Sequence, residues 1–82
     1  MKGDDKNMKE DDSQFLEINK KLVNYYFQEK KMMHCSLKDG SFFNGLIFSV
    51  SPDFFEIHDR MMGVQVVFFQ ELNKRVTEFI PK

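Results

Sequence analysis

Between residues 31 and 80 the chain is cut into five short apolar runs, and a turn signal closes each run before it can lengthen. KMMHCSLK (31–38) alternates, placing Met33, Cys35 and Leu37 on one face of a first strand. Asp39-Gly40 then supplies a hairpin turn, because such turns need positive φ values that glycine adopts without a steric penalty. SFFNGLIFSV (41–50) is a long second strand interrupted by Gly45, and a mid-strand glycine marks a sharp bend or a close backbone approach. Phe43 and Ile47 share a face with Gly45, whereas Phe42, Leu46, Phe48 and Val50 take the other. Ser51-Pro52-Asp53 turns the chain into a third strand, FFEIHD (54–59), and residues 60–63 turn it into a fourth, GVQVVFFQ (63–70). A turn around Asn73-Lys74 leads to the fifth, RVTEFI (75–80), which Pro81 ends.

The pattern ahead of residue 31 is helical. In SQFLEINKKLVNYYFQ (13–28), Phe15, Ile18, Leu22 and Tyr26 recur at steps of three and four and line one face, with Leu16, Val23 and Phe27 in a stripe beside it. Lys20, Lys21 and Asn24 fall opposite, and Asp12 or Ser13 is placed to cap the start. Residues 1–12 hold three lysines and five acids with only methionine as apolar content, so this segment is expected to be a disordered tail. The remainder, 13–82, is one domain: a helix at 13–28 and a β unit at 31–81.

Five short strands with phenylalanine on both faces are poorly served by a flat sheet. Bending the sheet at Gly45 until it closes, with the helix over one open end, hides more apolar surface. The expected fold is therefore mainly β, an N-terminal α-helix followed by a five-stranded, strongly bent antiparallel barrel of the SH3-like type.

Several functions are disfavoured. The net charge is −1, so no global positive field attracts nucleic acid, and RNA binding would need a local patch. Lys20, Lys21, Lys30 and Lys31, with Lys9 and Lys38, form the densest basic cluster, which equally suits the solvated side of an amphipathic helix. Cys35 is the only cysteine, which excludes an internal disulfide framework and fits a reducing compartment. No apolar run is long enough for a membrane span and the N-terminus is too polar for a signal peptide, so the expected location is cytoplasmic. His34-Cys35 and His58-Asp59 are the only pairs with metal-ligand chemistry, but His34 and Cys35 point to opposite faces of a strand. Neither a metal, another cofactor nor an enzymatic activity is expected, since no nucleophile–base pair and no phosphate-cradling loop is present.

LKDGSFFNGLIFSVSPDFFEIHD (37–59) resembles the first Sm motif of the Sm and LSm-like proteins, with Asp39, Gly40, Gly45, Ile47 and Ile57 at the pattern positions. The Ser51-Pro52-Asp53 turn is most similar to the ataxin-type Sm-like domains. VVFFQELNKRVTEFIP (66–81) resembles the second motif in its strand–turn–strand shape, and the resemblance covers about residues 14–81. It implies a Sm-like barrel that assembles into a ring, the fourth strand of one subunit pairing with the fifth of the next. It also implies RNA bases held by the turn between strands two and three and the turn between four and five. There the family's Asp position falls on Ser51, its Asn position on Phe55, and its Arg-Gly pair near Gln70-Glu71. Glu71 would repel phosphate, so uridine-specific binding is not expected, while Phe55 suits either base stacking or the core.

The candidate RNA-binding residues are accordingly Ser51, Asp53, Phe55, Gln70, Asn73 and Lys74, with Lys20 and Lys21 from the helix. Strand four places Val64, Val66 and Phe68 on one side and Val67 and Phe69 on the other, which leaves it no polar face. Contiguous exposed apolar surface marks interfaces, so Val64, Val66, Val67, Phe69, Val76 and Phe79 are the expected oligomer contacts. Two functions remain open. One is a non-enzymatic, self-assembling Sm-like protein, a ring or dimer, that associates with RNA. The other is a protein-interaction or adaptor module on the same barrel without RNA.

Overall fold

The computed structural model describes the backbone of residues 2–81 and the side chains of residues 14–81. In order, the elements are α1 (Lys2–Glu29), β1 (Met32–Ser36), β2 (Phe42–Val50), β3 (Phe54–Asp59), β4 (Gly63–Phe68), a 3-10 turn η1 (Phe69–Glu71) and β5 (Thr77–Glu78). The strands form one antiparallel sheet in the order β4-β3-β2-β1-β5.

α1 begins at Lys2, so its backbone runs through the segment expected to be a disordered tail, and Asp12 and Ser13 lie within the helix instead of capping it. Met1 and the side chains of residues 2–13 lie outside the described residues. Lys30 ends the helix at φ 56°. Its N–H donates to the Phe27 carbonyl (3.3 Å) and that of Lys31 to Tyr26 (3.0 Å), the paired bonds of a left-handed helix cap. The face turned to the sheet centres on Leu16, Asn19 and Val23, with Leu22 and Tyr26 of the expected line packed beside them, while Phe15 and Ile18 stay outside the core and Phe27 is exposed.

β2 divides its two edges between neighbours. Phe42–Leu46 pairs with β1 and Gly45–Val50 with β3, so the ladders overlap only at Gly45 and Leu46. The close approach expected at Gly45 is present, since a Cβ there would sit 1.9 Å from the His58 carbonyl oxygen. A bulge between Ile47 and Ser49 then shifts the register. It leaves Phe48 exposed and brings Val50 against the core, the opposite face from the one strict alternation assigns.

β4 stops at Phe68, two residues earlier than the alternation suggests, because η1 carries the chain across the end of the sheet to β1. There Lys38 N–H donates to the Glu71 carbonyl (2.9 Å), Asn73 N–H to Ser36 (2.8 Å), and Leu37 bridges Leu72. The fifth strand shrinks from 75–80 to Thr77–Glu78. β4 and β5 therefore lie at opposite ends of the strand order and share no ladder, so the sheet is open. Its inner face carries Met33, Cys35, Ile47, Phe55, Ile57 and Val67, which α1 and η1 close over with Val23, Phe69 and Leu72.

Candidate functional site

A cleft of about 340 Å³ opens where α1 crosses the turn-bearing end of the sheet, lined by Leu16, Lys20, Asp53, Phe68, Phe69 and Gln70. Each side chain arrives for a local reason. Pro52 and Asp53 form the β2–β3 turn, and the Asp53 carbonyl accepts the Phe69 N–H at 3.0 Å, tying that turn to the end of β4. This bond and the onset of η1 send successive side chains to different places. Phe69 is buried against Phe55, ring centroids 5.3 Å apart, whereas Phe68 stays half exposed beside Phe54 at 5.4 Å. Gln70 follows on η1 and projects at the surface. From the helix, Leu16 packs on the core edge and the Lys20 ammonium lies 5.9 Å from the Phe69 ring centroid.

The site thus combines an apolar floor, one half-exposed aromatic ring, one cation, one carboxylate and one carboxamide. Among the described residues, the side-chain polar atoms of Lys20, Asp53 and Gln70 make no hydrogen bond or ion pair with the protein. They are available to a ligand.

Of the eight residues assigned to RNA from sequence, the fold gathers Lys20, Asp53 and Gln70 here. Ser51 is half-buried in the turn behind, its N–H donating to Phe54 at 2.8 Å. Lys21, Asn73 and Lys74 are exposed outside the cleft lining. Phe55 is wholly buried and is therefore core, not a stacking surface, because the alternation of β3 turns it inward with Ile57. The interface set divides in the same way. Val64 and Val66 are about half exposed and Phe79 is half-buried, with the Arg60 guanidinium 5.3 Å from its ring. Val67, Phe69 and Val76 fill the core and offer nothing to a partner of the folded chain.

Asn19 was not foreseen. It is fully buried; its Oδ1 accepts the Val76 N–H at 3.0 Å and its Nδ2 donates to the Lys74 carbonyl at 3.4 Å. The signal was present in the sequence as one polar residue within the apolar line Leu16–Val23.

Two carboxylates organise turns. Asp39 accepts the Ser41 hydroxyl (2.6 Å) and N–H (2.9 Å), and these bonds, the hydroxyl first, hold its pKa below the usual value. Burial would raise the pKa of Asp59, but N–H donors from Asn44 (2.8 Å), Met61 and Met62 (2.9 Å each), together with Arg60, lower it overall. Burial pushes the Cys35 thiol up to about 12, so it is not a ready nucleophile. Among the described residues no three His, Cys, Asp or Glu side chains converge on a metal position, and no helix is long and apolar enough to cross a membrane. Compared with protein-family models and with curated proteins, the sequence matches none.

Proposed function

We propose that this protein is a non-enzymatic, Sm-like subunit that self-assembles through its strand edges and associates with RNA at the cleft between α1 and the β2–β3 turn. The observation that carries the proposal is the strand order β4-β3-β2-β1-β5, which leaves β4 and β5 as the two free edges of an open sheet. Unpaired edges template further pairing, and β4 presents the half-exposed Val64 and Val66 beside its own. A head-to-tail contact of β4 on β5, repeated with a fixed rotation, closes a ring and continues the sheet into a barrel-like wall. The cleft supports the RNA component, since single-stranded nucleic acid is held by stacking on exposed aromatic rings with cations at phosphates. A cytoplasmic location belongs to the same reading and is supported by the lone, buried, unpaired Cys35.

Sedimentation of the full chain at tens of micromolar is expected to show a species several times the 9.8 kDa subunit, and RNA affinity is expected to fall as salt rises. A stable 9.8 kDa species would sink the assembly component. The adaptor reading draws on one further observation: Phe42, Leu46 and Phe48 of β2 are also exposed, more apolar surface than edge pairing alone requires. An assembled particle that binds no RNA at low salt would favour it.

A further inference from the structure

We infer that the cleft selects a purine nucleotide, adenylate in the first instance, and discriminates against uridylate. The inference rests on the reading of this cleft as a nucleotide site and adds which base it takes. Its volume of about 340 Å³ lies at the small end of ligand pockets, enough for one nucleotide and not for a stacked run. Phe68, 48% exposed, is the one lining aromatic with a free surface, so it supplies the stacking platform, and a bicyclic base covers more of it than a pyrimidine.

The polar groups then decide the base. Asp53 offers only acceptors, and Gln70 offers a donor and an acceptor side by side. Adenine carries an amino group with two hydrogens next to the acceptor N7. The Gln70 carboxamide pairs with N7 and one amino hydrogen, a recognised match of glutamine to adenine, and the Asp53 carboxylate takes the other hydrogen. Uracil has no amino group and presents a carbonyl oxygen in that place. Against a carboxylate this is acceptor facing acceptor, which leaves both unpaired and repelling. Lys20, already on the apolar floor beside Phe69, is the only cation in the lining and takes one phosphate. One phosphate per cleft also predicts a shallow salt dependence, with a slope of about −0.7 for a single strand.

The test is a titration of the isotopically labelled full chain with adenosine and uridine 5′-monophosphates, followed through the Gln70 side-chain amide and the Phe68 ring signals. Adenosine monophosphate is expected to bind at least fivefold more tightly and to move both signals. Asp53→Asn, at an exposed turn whose structural bond is made by the backbone carbonyl, is expected to bring the ratio toward one without changing the fold. Phe68→Ala is expected to weaken both ligands. Uridylate binding as tightly as adenylate, or a ratio unmoved by Asp53→Asn, would overturn the selectivity. Oligouridine binding with neither mononucleotide shifting the cleft would overturn it while leaving RNA association intact. Binding of neither oligoadenylate nor oligouridylate would overturn this inference together with the RNA reading on which it rests.

Discussion

Position 45 has room for a hydrogen atom and little more, because a Cβ would lie 1.9 Å from the His58 carbonyl oxygen and 2.7 Å from its carbon, both backbone. Backbone atoms of a paired strand cannot rotate aside as a side chain can. Gly45→Ala is expected to cost at least about 2 kcal/mol in denaturant unfolding. An unchanged midpoint would contradict the close approach. Lys30 is the converse case: a residue with a Cβ held at φ 56°, where glycine closes helices without that penalty. Lys30→Gly is expected to stabilise the fold by about 0.5–1 kcal/mol, measured as a rise in melting temperature. The first of these sites was legible in the sequence, since glycine inside an apolar strand has few other uses. The second was not, because nothing in Lys30-Lys31 distinguishes a helix cap from a helix interior.

At the level of elements, the hairpin turns and the helix contact are held by different chemistry. The β1–β2 and β3–β4 turns carry Asp39 and Asp59, whose folded pKa values are both lowered from the ordinary 3.8. Lowered values mean that their stabilisation is complete above the unfolded pKa and is lost as pH falls through the folded one. The β3–β4 turn is therefore expected to loosen below about pH 4, read from the amide shifts of Met61 and Met62, and Asp59→Asn should remove that titration. The helix contact depends on Asn19. In Asn19→Leu the Val76 N–H stays buried without a partner, at an expected cost of about 1–3 kcal/mol. Amide exchange should show the loss first in the segment from Asn73 to Glu78, whose other anchors are the short β5 ladder and a few backbone bonds. Alternation placed most strands correctly but could not place Val50, since a bulge changes the face of every residue beyond it.

For the molecule as a whole, β4 carries a buried face and an exposed face along a single strand. Val67 is fully buried and Val66 is 51% exposed, one residue apart on opposite faces. Val67→Lys buries a charge and is expected to unfold the domain, at a cost of several kcal/mol. Val66→Lys leaves the core untouched and is expected to shift sedimentation toward the subunit mass while the melting of the isolated chain changes little. If Val66→Lys assembled as the unmodified protein does, edge pairing along β4 would be the wrong contact. Doubly apolar composition had marked the strand as unusual, but periodicity alone did not say which of Val64, Val66, Val67 and Phe69 faces outward, because that depends on which side the helix covers.

Local pattern was enough to place one helix before five strands, the Asp39-Gly40 turn, the inward set Met33, Cys35 and Leu37, and the constraint at Gly45. All of these rest on local periods and local sterics, which act between residues close in the chain. Long-range packing is what brings Lys20, Asp53, Phe68 and Gln70 to one cleft, takes Phe55 from the surface, and lets Asn19 clamp the chain beyond β4. Those outcomes depend on where η1 turns and where α1 lies across the sheet. Contacts between residues more than fifty positions apart, such as Asn19 with Val76, set that geometry, and no repeat along the chain encodes it.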